Sequence, residues 1–380
     1  MCKIVIAGDI LPSKSNDSLF VAGDGESLFD DKVLRIFKSA DFSIVNLEGP
    51  LTNAQIKQDK VGPVLKASPD SVKGLQSLGV SCVALANNHF TDYLKAGCED
   101  TINSLDKAGI HHIGGGIDRQ SVNTNISVFL GKEKVCIYNV SETFFNVPSE
   151  SSPGVNVYDE YLVCNEIKEL KKNHDYLIVL YHGGSEMCPY PTPVVRKRFR
   201  RMADCGADFI TAQHTHCIGC EEKYKNSYLL YGQGNFYLDH MKQPIARQGL
   251  ITQITFTEDS IGIEHFRVSI SEGKLIIDPE QELRDFKKRT EEILDESLAE
   301  ERYYEYIRSA GILKSRYYEA FKGGFIGKGV LKKFFPHLLL SYIEKNYGPK
   351  DLDRIVFSLE SDRMREDVLS LWKQLKEKRS

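Results

Sequence analysis

The stretch that decides the fold runs from Asp208 to His216 and reads DFITAQHTH. Its first half, Asp208–Ala212, is short, apolar and rich in β-branched and aromatic residues, which is typical of a buried strand. The apolar run then stops, and two histidines follow, His214 and His216. Ligands of open α/β sheets bind at the carboxyl ends of the strands. This stretch therefore predicts a strand that ends in a candidate metal site.

Six further apolar runs resemble this strand, and segments with helical periodicity separate most of them. The predicted strands are Lys3–Ala7, Phe42–Asn46, Cys82–Ala86, Val135–Val140, Tyr176–Tyr181 and Tyr228–Tyr231. The predicted helices are Asp31–Ser39, Asp70–Leu78, Leu94–Ala108, Asp159–Lys172 and Pro193–Ala203. Strands that alternate with helices predict an α/β fold whose helices cover a largely buried sheet.

The alternation ends near Gly249. Three strand-like runs then follow one another directly, Leu250–Phe256, Ile261–Val268 and Lys274–Ile277. They predict a meander or hairpin layer, with a second sheet as one arrangement. The composition becomes charged and helical from Pro279 onward. We therefore predict a main domain over residues 1–278 and a helical C-terminal extension over residues 279–380.

Bulk composition excludes several classes of protein. The chain has 380 residues, 41% apolar and 27% charged, as in ordinary globular proteins. A net charge of -4 provides no basic field for nucleic acid. The apolar run at Met1–Asp9 is too short for a signal peptide, and no stretch approaches a membrane span. We expect a cytoplasmic protein with reduced cysteines and no nucleic-acid partner.

Polar side chains that can bind metals stand at the end of nearly every predicted strand. They are Asp9, Asn46, Glu48, Asn87, Asn88, His89, His182, His214, His216 and Asn235. One histidine after a strand is more often a structural residue, but clusters at six strand ends are harder to explain that way. Carboxylate, amide oxygen and neutral imidazole are ligands of Mn, Fe, Zn and Mg. The pattern predicts one or two divalent metal ions, whose identity it leaves open.

The order of these motifs resembles the calcineurin-like metallophosphoesterase superfamily and, within it, the capsule-synthesis family of CapA and poly-γ-glutamate proteins. The resemblance covers about residues 3–240. It rests on Gly8–Asp9, Asn46–Thr52, Ala86–His89 with Asp92–Tyr93, Gly114–Gly116, His182–Glu186, His214–His216 and Gly234–Phe236. It implies a layered sandwich of two β-sheets flanked by helices.

The resemblance also implies a role for each residue. Asp9, Glu48 and His216 would hold one metal. Asn88, His182 and His214 would hold the second, with Glu48 as a bridge. His89 would donate a proton to the leaving group. Apart from the resemblance, Glu186 is a second catalytic candidate, because it lies four residues after His182 in a glycine-containing loop, where it would contact substrate or water at the metal. The candidates for substrate binding are Asn46, Asn87, Asn235 and Arg196.

Two positions depart from the phosphoesterase pattern. Leu11 stands where that pattern has the histidine of Asp-x-His, and Glu48 stands where it has aspartate. Both departures agree with the capsule family. Because leucine cannot bind a metal, a single tightly held ion is an alternative to a pair.

Three other features have a structural and a functional interpretation. The basic run Arg196–Arg201 is either a solvated helix face or a site that captures an anionic polymer or phosphorylated glycan precursor. Cys217 and Cys220 form a CxxC for which packing is favoured over redox chemistry, since no second CxxC completes a zinc site. The aromatic and basic segment Phe321–Tyr342 suggests a helical lid, with peripheral membrane contact as the alternative.

Together these features predict a metal-dependent, phosphoesterase-like hydrolase of capsule, exopolysaccharide or poly-γ-glutamate biosynthesis. One alternative keeps the fold and replaces the ester by an amide, as a hydrolase or transpeptidase on a γ-glutamyl polymer. The other is a non-catalytic assembly or binding protein, which Leu11 favours and His89 opposes.

Overall fold

The structure is a computed structural model. It describes residues 2–60, 62–142, 147–256, 261–278 and 283–309, together with 348, 351, 353, 355 and 366. The strands are β1 (Cys2–Ile10), β2 (Phe42–Leu47), β3 (Cys82–Ala84), β4 (His111–Ile113), β5 (Gly115–Gly116), β6 (Asn125–Leu130), β7 (Glu133–Ser141), β8 (Gly154–Val155), β9 (Tyr176–His182), β10 (Phe209–Gln213), β11 (Glu221–Tyr224), β12 (Ser227–Leu230), β13 (Asn235–Tyr237), β14 (Gln248–Phe256), β15 (Ile261–Ser271) and β16 (Lys274–Ile277). The helices are α1 (Asp17–Ala22), α2 (Gly25–Leu28), α3 (Asp31–Lys38), α4 (Val72–Leu78), α5 (Leu94–Ala108), α6 (Glu160–Lys171), α7 (Pro193–Cys205), α8 (Arg284–Glu292) and α9 (Glu296–Ser309).

The strands form two large sheets. The first has the order β16-β15-β14-β1-β2-β3-β4, with β13 also paired to β1, and the second has the order β11-β12-β10-β9-β7-β6. The central strands β1 to β4 are parallel, as are β7, β9, β10 and β12. The predicted α/β fold with two sheets and flanking helices is confirmed. The suggestion that residues 250–277 form a separate sheet is wrong, because β14 pairs antiparallel with β1 and extends the first sheet.

Alternation along the strands places the core in three layers. Ile4, Ile6 and Ile44 of the first sheet share a buried cluster with Ile178 and Leu180 of the second, so the two sheets face each other. The neighbouring residues of the first sheet point outward to α1, α3, α4 and α5, and those of the second sheet point to α6 and α7. Burying one such aliphatic side chain stabilises the fold by about 1.5–3 kcal/mol.

The same topology brings the carboxyl ends of β1, β2, β9 and β10 to one edge. A close backbone approach supports this edge, since a Cβ added at Gly8 would lie 2.0 Å from the carbonyl oxygen of Gly234. Gln213 and Gln233 donate hydrogen bonds to the carbonyl oxygens of Ala7 and Ile6, at 3.2 and 2.7 Å. These bonds join the two sheets beside the strand ends that carry the predicted ligands.

The chain divides into two compact units, residues 1–58 with 64–301, and residues 59–63 with 302–380. The first unit includes α8 and the start of α9, whose Phe286, Ile293 and Ala299 are buried in its core. The predicted boundary at 278/279 stays a prediction. The segment Phe321–Tyr342 lies outside the described residues. None of the helices formed by described residues is long and apolar enough to cross a membrane.

Candidate metal centre

Three of the predicted ligands form a compact trio. One donor atom each from Glu48, His214 and His216 lies within 4.8 Å of the other two. The Nε2 atom of His216 is 3.8 Å from Oε1 of Glu48. Two donors that each bind a tetrahedral ion at about 2.1 Å are themselves about 3.4 Å apart. The separations and the donor types therefore fit a divalent transition metal.

The two histidines of this trio follow β10 in an unusual backbone conformation. His214 and His216 have φ values of 81° and 52°, in the left-handed region. Residues other than glycine seldom adopt it, because their Cβ approaches the following carbonyl group. The backbone N–H of His214 donates a hydrogen bond of 3.1 Å to Oδ2 of Asp9, which anchors the turn to β1. This turn places both imidazoles on the side of Glu48.

Asn235 fixes the ring of His216. Its Oδ1 accepts a 2.8 Å hydrogen bond from Nδ1 of His216, and its Nδ2 donates to the carbonyl oxygen of Ala246 at 2.7 Å. With Nδ1 protonated, the lone pair of Nε2 faces Glu48. Such a hydrogen bond sets the tautomer and orientation of a metal-binding histidine. Both ends of the Asn235 amide are used inside the fold, and its predicted role in substrate binding stays a prediction.

His182 lies on the other side of Glu48. Its Nε2 is 2.8 Å from Oδ1 of Asn88 and 3.7 Å from Oε1 of Glu48. Its Nδ1 is buried and makes no hydrogen bond to any described residue, the nearest Asp9 oxygen being 4.0 Å away. Burial is the main reason that the pKa of His182 lies well below its usual value, and the neighbouring His214 lowers it further. The ring is therefore neutral at neutral pH, the form that binds metals.

A buried chain of amides joins Asp9 to the next loop. Asn46 donates to Oδ1 of Asp9 at 2.7 Å and accepts from Nδ2 of Asn87 at 3.2 Å, and Oδ1 of Asn87 accepts from the backbone N–H of His89 at 3.0 Å. Burial raises the pKa of Asp9, against the lowering effects of His216 and its hydrogen bonds. Asn46 and Asn87 were predicted to bind substrate. Both are fully buried, and their hydrogen bonds link Asp9 to the loop that carries His89, so their predicted role in substrate binding stays a prediction.

His89 has a partner that the sequence interpretation did not assign. Its Nδ1 is 2.7 Å from Oδ2 of Asp92, and both side chains are almost completely buried. Oδ2 of Asp92 also accepts from the backbone N–H of Leu65 at 2.6 Å. A carboxylate bound to Nδ1 leaves Nε2 as the nitrogen available for proton transfer, and it stabilises the protonated ring. The signal was present in the spacing His-x-x-Asp, which places the two side chains within one turn of the chain.

The two remaining predicted residues lie in different places. Glu186 is partly exposed, and its Oε1 is 3.6 Å from Nε2 of His214, at the rim of the trio. Arg196 is buried on α7, where its guanidinium donates to Glu222, Glu296 and the carbonyl oxygen of Ile293, at 3.4, 2.9 and 2.5 Å. These contacts occupy Arg196 within the fold, and its predicted role in substrate binding stays a prediction.

Leu11 and His240 complete the surroundings. Leu11 is buried in the apolar core and packs over Gly49, next to Glu48. His240, which the motifs did not include, lies near His216. Burial lowers the pKa of His240, and the proximity of His216 lowers it further. The structure thus brings together Asp9, Glu48, Asn88, His89, His182, Glu186, His214 and His216, and Leu11 provides no donor there.

Comparison with known proteins supports the sequence resemblance. Residues 3–240 match a family model described as "Bacterial capsule synthesis protein PGA_cap". The PGA biosynthesis protein CapA of Bacillus subtilis is 29% identical over 240 residues, which are 61% of this chain and 62% of that protein. The capsule biosynthesis protein CapA of Bacillus anthracis is 28% identical over 213 residues, 53% of this chain and 51% of that protein. The chain thus matches between half and two thirds of the length of these relatives.

Solved structures show a more distant likeness. A novel phosphatase from Mycoplasma pneumoniae is 15% identical with a TM-score of 0.44, over 70% of this chain and 93% of that one. A 5'-nucleotidase precursor from Thermus thermophilus is 15% identical with a TM-score of 0.41, over 82% of this chain and 59% of that one. At these identities and scores, neither structure bears on the reaction of this chain.

Proposed function

The chain belongs to the bacterial capsule synthesis protein PGA_cap family, and from that premise we propose that it is a metal-dependent hydrolase of a phosphoester in an anionic cell-surface polymer or its precursor. One observation carries the proposal: the buried His89–Asp92 pair lies at the same strand ends as the trio of Glu48, His214 and His216. The chain of buried amides that leads to Asp9 ends at the backbone of His89.

The trio would hold the metal, and Asp9, Asn88 and His182 extend the donor set on either side of Glu48. A divalent ion held there would act as a Lewis acid and lower the pKa of water, which supplies a nucleophile at neutral pH. Neighbouring residues set the orientation and protonation state of the donor side chains without an ion. Asn235 aims the lone pair of His216 Nε2, and burial keeps His182 neutral.

His89 would donate the proton that the leaving oxygen needs. It is not a member of the trio, and its Nδ1 is held by Asp92 at 2.7 Å, so proton transfer falls to Nε2. A positioned general acid contributes about 10²–10⁴-fold to the rate. Glu186 at the rim would then contact substrate, since its partly exposed carboxylate faces Nε2 of His214.

An amide substrate is the second candidate for the same site. The Bacillus subtilis relative is named as a PGA biosynthesis protein, and a γ-glutamyl polymer is joined by amide bonds. The trio and His89 would serve an amide in the same way, because the leaving nitrogen also requires a proton. A hydrolase or transpeptidase acting on such a polymer is therefore tested in the same assay.

A non-catalytic assembly protein is the third candidate, and Leu11 is the observation in its favour. Its burial over Gly49 turns a potential ligand position into apolar core. The His89–Asp92 pair argues against this candidate, because a buried proton donor has no purpose in a purely structural site.

The test combines elemental analysis of the purified protein with a panel of phosphomonoesters, phosphodiesters and γ-glutamyl peptides. We expect a bound transition metal and hydrolysis of an ester that His89→Ala reduces by at least about 100-fold. The matched control is His112→Ala, since His112 on β4 also pairs with a carboxylate, Asp106 at 3.3 Å, and is more exposed than His89. Cleavage of the peptides alone would establish the amide reaction. Metal without any turnover would favour the assembly protein.

A further inference from the structure

Helix α8 contacts both loops that carry the rim of the metal centre, although it lies beyond the family match at residues 3–240. We call residues 214–220 the histidine loop and residues 183–192 the Glu186 loop. Both loops and α8 belong to the same compact unit. The contacts are made by polar side chains near the end of the helix, which distinguishes them from ordinary apolar packing.

Arg289 holds the histidine loop. Its Nε donates to the carbonyl oxygen of Gly219 and its Nη2 to that of Ile218, both at 3.0 Å. The hydroxyl of Thr290 accepts from the backbone N–H of Glu221 at 3.1 Å. The planar guanidinium thus binds two successive carbonyl groups in a fork, two and three residues after His216.

Glu292 holds the Glu186 loop. Its Oε2 accepts a 2.6 Å hydrogen bond from the hydroxyl of Tyr190, four residues after Glu186. The two loops are also joined directly, because the backbone N–H of Met187 donates to the carbonyl oxygen of Thr215 at 2.8 Å. A shift of either loop would therefore move the other.

Both loops contain residues whose backbone conformation needs external support. Met187 in one loop has a φ of 58°, and His214 and His216 in the other have 81° and 52°. Each such conformation is strained and persists only where surrounding contacts hold it. The hydrogen bonds from α8 are contacts of this kind, and they act at the segments that present the metal donors.

We propose that α8 is a positioning element of the site, in which Arg289 and Glu292 hold the two strained loops in the conformation that binds the metal. Its role in catalysis rests on the proposed function, whereas its role in ordering the loops does not. The C-terminal segment that the family match leaves out would then be required for the site that the matched residues form.

The test compares Arg289→Gln, Arg289→Lys and Tyr190→Phe with the wild type. Lys288→Gln is the matched control, because Lys288 is an exposed cation on the same helix. Hydrogen exchange read by mass spectrometry on the full chain without metal reports on loop order. Calorimetric titration with Mn²⁺ alone reports on the metal donors, and the melting temperature reports on global stability.

For Arg289→Gln we expect about tenfold faster exchange in residues 214–220 and a Mn²⁺ affinity about tenfold weaker. Arg289→Lys should recover part of both effects, Tyr190→Phe should speed exchange in residues 185–192, and Lys288→Gln should change neither. A lower melting temperature with unchanged loop exchange and Mn²⁺ affinity would overturn the proposal. Changed exchange in a protein that binds no Mn²⁺ and carries no metal on elemental analysis would support the positioning role and contradict the metal-dependent function instead.

Discussion

Asp92 offers the sharpest test of the proton donor, because Asp92→Asn removes a charge without removing volume. Oδ2 of Asp92 lies 2.7 Å from Nδ1 of His89 and accepts the backbone N–H of Leu65. An asparagine oxygen at the same place can accept both bonds, so the loop should keep its conformation. The protonated form of His89 would lose its counter-charge.

The buried position sets the magnitude. A hydrogen bond to a charged group contributes about 1.5–3 kcal/mol, and Asp92 is completely buried, which favours the upper half of that range. A loss of about 2–3 kcal/mol corresponds to a fall in kcat of about 30- to 150-fold. The affinity for metal should stay at the wild-type value, since neither His89 nor Asp92 belongs to the trio.

The assay compares two leaving groups on the same enzyme. An alkyl phosphate ester requires a proton on its leaving oxygen, whereas p-nitrophenolate leaves as a stable anion. The loss in Asp92→Asn should therefore appear with the alkyl ester and nearly vanish with the nitrophenyl ester. Asp106→Asn, at the exposed Asp106–His112 pair, should have no effect on either. Equal losses with both esters, or a loss of metal, would refute the assignment of His89.

Three further predictions concern the metal and the strand-end backbone. Saturation with Mn²⁺ or Zn²⁺ at about 100 times Kd should stabilise the fold by about 2.7 kcal/mol, seen as a higher melting temperature that a chelator reverses; an unchanged melting temperature would count against the site. Asn235→Ala should weaken metal binding by about 10–100-fold in a calorimetric titration, because the ring of His216 loses its orienting bond. Gly8→Ala should lower the free energy of unfolding by about 3 kcal/mol in urea, since its Cβ would meet the Gly234 carbonyl at 2.0 Å, whereas Gly262→Ala, with no atom nearer than 4.0 Å, should change it by less than about 1 kcal/mol.

Local pattern predicted most elements of the fold. The helix at Leu94–Ala108 and the strand at Lys274–Ile277 were predicted with the observed bounds. The short strands β5, β8 and β13 were not predicted, because two or three residues are too few to show an alternating pattern. The pairing of β14 with β1 joins segments about 250 residues apart. The local sequence pattern of a strand does not show which distant strand it pairs with.

The candidate site was predictable as a list of residues but not as a geometry. Residue chemistry at strand ends indicated Glu48, His182 and both loop histidines. Their grouping depends on the left-handed backbone at His214 and His216, which the sequence does not reveal, because such strain is held by distant contacts. The same limit applies to the hydrogen bond between Asn235 and His216, because the sequence does not reveal which side chain Asn235 contacts.

Glu48 is the residue at which the two predicted metal sets meet. The resemblance assigned His216 to one ion and His214 to the other, yet both share the compact trio with Glu48. Leu11 adds no imidazole of its own beside Asp9, and the imidazoles around Glu48 come from both predicted sets. Oε1 of Glu48 lies 3.7 Å from Nε2 of His182 and 3.8 Å from Nε2 of His216, and the longer glutamate side chain provides the reach. We therefore propose one tightly held ion at Glu48, His214 and His216. A weaker second ion would bind between Asp9 and Nδ1 of His182, which makes no hydrogen bond to any described residue.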